Sequence, residues 1–349
     1  MKEQILKIGL PAGSLADPQR GGNLIGLLEV AGFKTSGYES GGPSKFSTVN
    51  YLFGWDGRPQ EFGSQLGINE LDVAIAGDDW IYERKLELQL EYNKRIELEK
   101  ILSLRRGYVE IVGIINNDNE YNSIEDFLRI LCKQRKVISI VSEMPYIALN
   151  WVHEKLMKIG EYRKFSNFSV QKYKTPNKID QGIIVYETWG KTEAKVKNMG
   201  ADIGVEITQT GSAIRNYGLK VIGTVMKSET GIWINPQLRS DIKKVDLLKM
   251  FVLNLYGVVN AENKVMILFN VANNDVKNIE QYLRDNNLFA DEPTINVGKT
   301  FTEFSIQVDI TDPDIPLAKI RYELAKRKAV NINTIPVDSS IQNLDILGF

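Results

Sequence analysis

A single cysteine and a single histidine among 349 residues set the first limits on this chain. With Cys132 alone, neither an internal disulfide nor a cysteine-cluster metal site can form, which suits a reducing compartment. Cys132 ends the apolar helical run Phe127-Leu128-Arg129-Ile130-Leu131-Cys132. An unpaired cysteine in such a pattern reads as a small, inert core residue. His153 excludes an imidazole metal pair and permits a serine triad only if it serves in one itself. Its segment, 147–156, turns an apolar face through Ala148, Trp151 and Val152, with Ile159 beyond, so His153 is expected beside Asn150 and Glu154 as a plain surface histidine.

Charge of one sign is also missing. A formal net charge of -1 gives no bias toward nucleic acid, so any attraction to polyphosphate must come from local clusters such as Arg105-Arg106. No stretch approaches the roughly 20 apolar residues of a membrane span, and no early apolar run is long enough for an export signal. A cytoplasmic protein without nucleic-acid or membrane partners is expected. The 43% hydrophobic residues and 25% charged residues are enough for a sizeable core, and the length suggests two or three domains.

Against these absences stands a strong periodic pattern. Strand-like runs at 5–10, 73–76, 109–115, 137–141, 183–186, 205–208 and 221–225 alternate with helical spacing. An α/β sandwich follows. One early helix is signalled by Asn23 as cap, by Leu24, Leu27, Leu28 and Ala31, and by Gly32 at its end. Beyond an amphipathic helix from Asp241 to about Val258, the order strand, helix, two strands, helix, strand over 264–337 predicts a ferredoxin-like α+β domain.

The segment Val205-Glu206-Ile207-Thr208-Gln209-Thr210-Gly211-Ser212-Ala213 carries the clearest chemistry. A strand enters a turn of small residues that opens a helix, so backbone N–H groups and two hydroxyls can surround a phosphate. Glu206 at the strand end supplies an acceptor for sugar hydroxyls. A ribose 5-phosphate fits both. The plainer alternative is a helix cap. Gly21-Gly22 and Gly41-Gly42-Pro43 are further glycine candidates that turn formation explains as well. Trp55 and Trp80 read as core or as walls of an adenine pocket.

From Gly190 through Lys195, Ala201 to Leu219 and Ser228 to Pro236, the chain resembles the phosphoribosyl-diphosphate-binding region of ATP phosphoribosyltransferases, the first enzymes of histidine biosynthesis. The resemblance extends to the opening Lys7-Ile8-Gly9-Leu10-Pro11-Ala12-Gly13-Ser14-Leu15, to Arg58-Pro59-Gln60-Glu61-Phe62, to Leu71 through Trp80, and to Val137 through Tyr146. It departs where Ala12 and Ser14 replace a lysine and an arginine, where Glu206 replaces an aspartate, where Gln209 replaces a frequent glutamate and where Ala213 replaces a threonine. Arg20, Lys45 or Arg58 would have to compensate for the lost loop lysine.

The resemblance implies a two-lobed, type II periplasmic-binding-protein-like catalytic core. Lobe one would comprise 1–108 and 212–260, lobe two 109–211, and a C-terminal regulatory domain 262–345. The chain would enter lobe two near Tyr108 and return near Gly211. It further implies Glu206 as the catalytic group, with Gln209, Thr210, Gly211, Ser212, Ala213, Gly13, Ser14, Arg58, Asp78 and Glu193 binding substrate. ATP and phosphoribosyl diphosphate would be the substrates, Mg2+ would travel with the diphosphate, and no metal would be caged by protein. Histidine would inhibit, and dimers or hexamers of this chain would form. A non-catalytic sensor or regulatory subunit on the same fold is the alternative that the loop departures sustain. A solute-binding protein of similar architecture is disfavoured by the extra C-terminal domain.

Overall fold

The computed structural model describes residues 5–13, 15–16, 22–38, 44–288 and 294–348. The chain divides into two compact units, one holding the residues up to Ile25 and Thr35–Leu247, the other Gly26–Lys34 and the chain from Leu248 onward. No helix among the described residues is long and apolar enough to cross a membrane.

The first unit contains two large sheets, one per lobe, and a two-stranded ribbon of Thr35–Ser36 and Lys45–Phe46. In the first, the strands lie in the order Leu52–Gly57, Leu6–Pro11, Val73–Gly77, Thr230–Ile234, Glu99–Ser103. The first three are parallel, and the other two join through antiparallel pairings. Val73–Gly77 is buried at every position, which is why its sequence is a continuous apolar run rather than an alternation.

The second sheet has the order Leu219–Ser228, Val109–Asn116, Ile203–Thr208, Val137–Ser142, Gly182–Glu187, Phe168–Lys172. Val109–Asn116 runs antiparallel to both neighbours, and the remaining pairings are parallel. Helix Ile124–Gln134 covers it because Ile124, Phe127, Leu128, Leu131 and Cys132 recur on one face, and all five are buried. Ser123 caps this helix, its hydroxyl accepting from the Asp126 N–H at 3.2 Å. Cys132 is a core residue, its thiol pushed up to about 11 by burial. Trp151 lies so close to Gly113 that a Cβ there would stand 2.2 Å from the indole, so this strand position admits no larger residue.

Two expectations are corrected. His153 is buried at 7% exposure, edge-on to Tyr162 at 5.1 Å between ring centroids, and burial lowers the pKa of its imidazole. Helix Pro145–Lys158 is covered on more than one side, so Tyr146, Leu149, His153 and Leu156 form a second buried stripe. The chain also returns to the first sheet at Glu229 rather than near Gly211. Strand Leu219–Ser228 pairs with Val109–Asn116 in lobe two, and Thr230 pairs with Gly77 in lobe one.

In the second unit, the strands are ordered Thr294–Val297, Phe301–Asp309, Lys264–Ala272, Val330–Pro336, all antiparallel. Helices Val276–Asp285 and Leu317–Lys326 bury Ile279, Leu283, Ile320 and Leu324 against Ile267, Phe269, Phe304 and Ile306. This is the ferredoxin-like arrangement.

Charge fixes the crossover between the two sheets. Lys100 Nζ lies 2.8 Å from both an Asp78 oxygen and a Glu229 oxygen. The Asp78 N–H donates to Glu229 O at 3.1 Å, and the Asp79 N–H donates to Ser228 Oγ, also at 3.1 Å. Burial lowers the Lys100 ammonium, but its two carboxylate partners outweigh that and hold it above its usual range. Burial likewise raises Glu229, whereas its bonds to Lys100 and Ser103 bring it below the ordinary carboxylate range. A depressed carboxylate stabilises above its unfolded pKa and loses that contribution as pH falls through the folded one. Lys100→Met should therefore cost about 2 kcal/mol at neutral pH, and the gap to the parent protein should narrow below about pH 4 in chemical denaturation.

Candidate functional site

A cleft of about 710 Å³ lies at the carboxyl ends of strands from both sheets, the usual ligand position in open α/β folds. Ala12 and Gly13 follow Leu6–Pro11, Arg58 and Gln60 follow Leu52–Gly57, and Asp79 and Trp80 follow Val73–Gly77. From lobe two come Trp189, Ile207 and Gln209. The Arg58 guanidinium has no hydrogen-bond or ion-pair partner among the described residues, which leaves it available to an anion. Asp79 is buried, and burial raises its pKa, against the Trp80 N–H and the Ser228 hydroxyl that pull it down.

A second cavity of about 360 Å³ adjoins the first and shares Arg58, Gln60, Trp80 and Trp189 with it. Its character is acidic: Glu61, Glu83, Glu87, Glu143 and Glu187 face it, against only Arg58 and Arg84. Arg84 is already committed, to Glu87 at 2.6 Å and to the Gln60 carbonyl at 2.8 Å. Glu83 accepts the N–H groups of Tyr146 and Ile147 at 2.9 and 2.7 Å, across the first turn of helix Pro145–Lys158. Burial raises this carboxyl to about 8 even though both amide bonds oppose the shift.

The small-residue turn folds as its composition requires. Gly211 has φ +68, a conformation that glycine adopts without strain, and helix Ser212–Asn216 starts immediately after it. The Gly211 N–H donates to Thr208 Oγ1 at 2.8 Å, and the Thr210 and Ser212 hydroxyls lie 2.9 Å apart. Arg215 arches back over the turn: Nη2 donates to Ser212 Oγ at 3.4 Å, and Nη1 lies 3.0 Å from where a Gly211 Cβ would stand.

Glu206 is half-buried, and one of its carboxylate oxygens accepts the Ile207 N–H at 3.0 Å. Burial is the main reason its carboxyl rises to about 7, with the Glu193 and Glu143 charges adding to the shift. The buried Thr192 hydroxyl pulls in the other direction, although it meets no partner in good hydrogen-bond geometry. Ile207 and Gln209 line the cleft, and Glu206, which alternates with them, feels instead Thr192, Glu193 and Glu143, the last of which lines the adjoining cavity.

The structure thus gathers Gly13, Arg58 and Gln209 around the cleft, and it clusters Glu206 with Glu193 beside the strand that leads to Thr210, Gly211, Ser212 and Ala213. Ser14 and Arg20 lie outside the described residues. Asp78 is drawn into the crossover ion pair, and its neighbour Asp79 lines the cleft instead. Lys45 is the exposed residue of the two-residue strand Lys45–Phe46 and is not among the cleft residues, so of these candidate cations only Arg58 lines the cleft among the described residues. Trp55 packs against the lobe-one core, whereas Trp80 lines both cavities.

Sequence reasoning missed Gln60, Asp79, Trp189 and Arg215 as site residues. Arg215 was legible as the i+3 neighbour of Ser212 on a helix. Trp189, a large aromatic just before a glycine at a strand end, carried a weaker signal. Among the described residues, no three histidine, cysteine or carboxylate side chains converge to hold a metal.

Residues 58–255 match the family model described as HisG, ATP phosphoribosyltransferase. An ATP phosphoribosyltransferase of Geotalea uraniireducens (strain Rf4) is 25% identical over 349 residues, covering 97% of this chain and 99% of its own. Another, of Chlorobium phaeobacteroides (strain DSM 266 / SMG 266 / 2430), is 27% identical over 283 residues and 79% of each chain. Among solved structures, the ATP phosphoribosyl transferase (HisG:HisZ) complex from Thermotoga maritima superposes with a TM-score of 0.49 at 14% identity, over 72% of this chain and 98% of that one.

The raised carboxyl of Glu206 has a measurable consequence. A pKa raised in the folded state gives stability that is present below the unfolded value, 4.5, and lost as pH rises through about 7. Glu206→Gln should therefore match the parent protein near pH 4.5 and exceed its stability by about 2 kcal/mol at pH 8. Denaturant unfolding at the two pH values checks this, and an equal difference at both would contradict the assigned environment.

Proposed function

The chain belongs to the ATP phosphoribosyltransferase family, and we propose that its interlobe cleft transfers phosphoribosyl from phosphoribosyl diphosphate to N1 of ATP, the first step of histidine biosynthesis. The observation that carries this reading is the turn at Gly211. It joins a left-handed glycine, three neighbouring hydroxyls and the Arg215 guanidinium at the end of a strand bordering the cleft.

In this reading the 5-phosphate takes the turn, with Thr208, Thr210 and Ser212 exchanging their mutual hydrogen bonds for phosphate oxygens and Arg215 adding charge. Glu206, with Glu193 beside it, accepts from the ribose hydroxyls. As the C1–O bond to diphosphate breaks, its electron pair leaves with the diphosphate, and N1 of adenine forms the new bond to C1. Positive charge develops on the sugar, and an ionised Glu206 nearby favours it. Neither a nucleophilic side chain nor an imidazole is needed, which accords with the composition; positioning supplies much of the rate. Arg58 takes the cationic role that the family assigns to the lysine replaced by Ala12.

Magnesium, when bound, neutralises the departing diphosphate. Among the described residues no three carboxylates converge to cage it, and the phosphate oxygens themselves would be its ligands. Glu206 and Asp79 then act on the substrate side, holding sugar hydroxyls or ordered water. Histidine as a feedback inhibitor acting through the ferredoxin-like unit, assembly into dimers or hexamers, and a cytoplasmic location complete the proposal.

Mixing the protein with ATP, phosphoribosyl diphosphate and magnesium should produce an ultraviolet absorbance change that added histidine suppresses. Gly211→Val forces a β-branched residue to φ +68 and should weaken phosphoribosyl-diphosphate binding by about tenfold or more. Glu206→Ala should lower kcat/KM by about tenfold or more, and in the parent protein kcat/KM should rise with pH through about 7 as Glu206 ionises. Unchanged activity in both variants would remove the assigned site. Binding of both substrates without turnover would instead favour a sensor or regulatory subunit on this fold.

A further inference from the structure

The two cavities meet at a wall with an unusual composition. Trp189 is 70% exposed and lines both cavities. Its loop is nevertheless pinned: Thr188 Oγ1 donates to Gly190 O at 3.0 Å, and Lys195 Nζ donates to the same carbonyl at 2.8 Å. Trp80 lines the same two cavities from the other lobe, at the start of helix Asp78–Tyr92. Gln60 lies between these walls, and its Oε1 is buried without a hydrogen-bond partner among the described residues.

An exposed indole on a loop whose backbone is tied at Gly190 is a ready stacking surface. A buried amide oxygen without a donor is a vacancy for an N–H group. Beyond it, Glu143 and Glu187 line a cavity in which, with Glu83 kept largely protonated at neutral pH by burial, four glutamates still outnumber two arginines. That charge repels phosphate and favours the electropositive edge of a ring.

We propose that this junction is the base subsite, in which Trp189 and Trp80 stack a purine and Gln60, with the carboxylates behind it, selects a 6-amino group over a 6-oxo group. The inference rests on the transferase reading for its substrate, and it adds the residues that recognise the base. It also gives the acidic cavity a purpose. Attack through N1 leaves the adenine ring cationic, with charge shared onto its amino group, and carboxylates facing that edge match the charge as it develops. The polyphosphate is left to the larger cleft, beside Arg58.

Calorimetric titration of the full chain with ATP, with ITP and with phosphoribosyl diphosphate, each with magnesium, tests this separately from turnover. Trp189→Ala should weaken ATP binding by about tenfold or more while leaving phosphoribosyl-diphosphate affinity unchanged. Its high exposure makes this variant safe to fold, and Trp80→Leu gives a second reading from the other wall. ITP should bind the parent protein about tenfold or more weakly than ATP. Unaltered ATP affinity in both tryptophan variants, or equal affinity for ATP and ITP, would overturn the proposal even in an active enzyme. Tryptophan-dependent ATP binding without turnover would support it while removing the transferase reading.

Discussion

Everything at the cleft depends on the ion pairs of Lys100 with Asp78 and Glu229. Glu229 is the residue on which the chain leaves one sheet and enters the other, and Asp78 begins the helix that follows the central strand of lobe one. A single ammonium between them satisfies two carboxylates that would otherwise repel one another where the chain crosses between the two sheets. With that point fixed, the carboxyl ends of strands from two sheets face a common space, into which short connections carry Arg58, Trp189 and Gln209 and the first turn of helix Asp78–Tyr92 carries Trp80.

Helix Asp78–Tyr92 extends the same constraint. Ile81 belongs to the core of lobe one, and Leu86 to the core of lobe two. Because the helix is buried on two sides, it lacks a single apolar stripe, and in the sequence it resembles a charged connection rather than a structural element. The charges are functional in position: Glu83, Arg84 and Glu87 form one wall of the acidic cavity. The site therefore combines a polar, hydroxyl-rich turn in lobe two with an arginine from lobe one and a strongly anionic recess behind two indoles.

Much of this was legible from local pattern. The buried parallel strands announced themselves as apolar runs, and the ferredoxin-like unit was readable because its two helices and its strands Lys264–Ala272 and Phe301–Asp309 each have one buried face. The turn at Gly211 was readable because small residues and a left-handed glycine leave few alternatives. What local pattern could not reach was partner choice. Strand Leu219–Ser228 was visible, yet only pairing across the sheet assigns it to lobe two and moves the return crossing to Glu229. The exchange of Asp78 for Asp79 has the same origin, since one helical residue separates a cleft-lining carboxylate from one claimed by Lys100. His153 was misplaced because its helix is covered by both sheet and helices, so a polar side chain lies within a buried stripe.

The buried carboxyl of Glu83 reaches from the bridging helix to the first turn of helix Pro145–Lys158, and burial is the chief cause of its high pKa, about 8. Any motion that draws those two helices apart admits water to that carboxyl and returns it toward its ordinary value. At neutral pH the group would then shed most of its proton. Breathing of the lobes is thus thermodynamically linked to proton exchange with the buffer, and acidity acts on this fold as a ligand that binds the closed form.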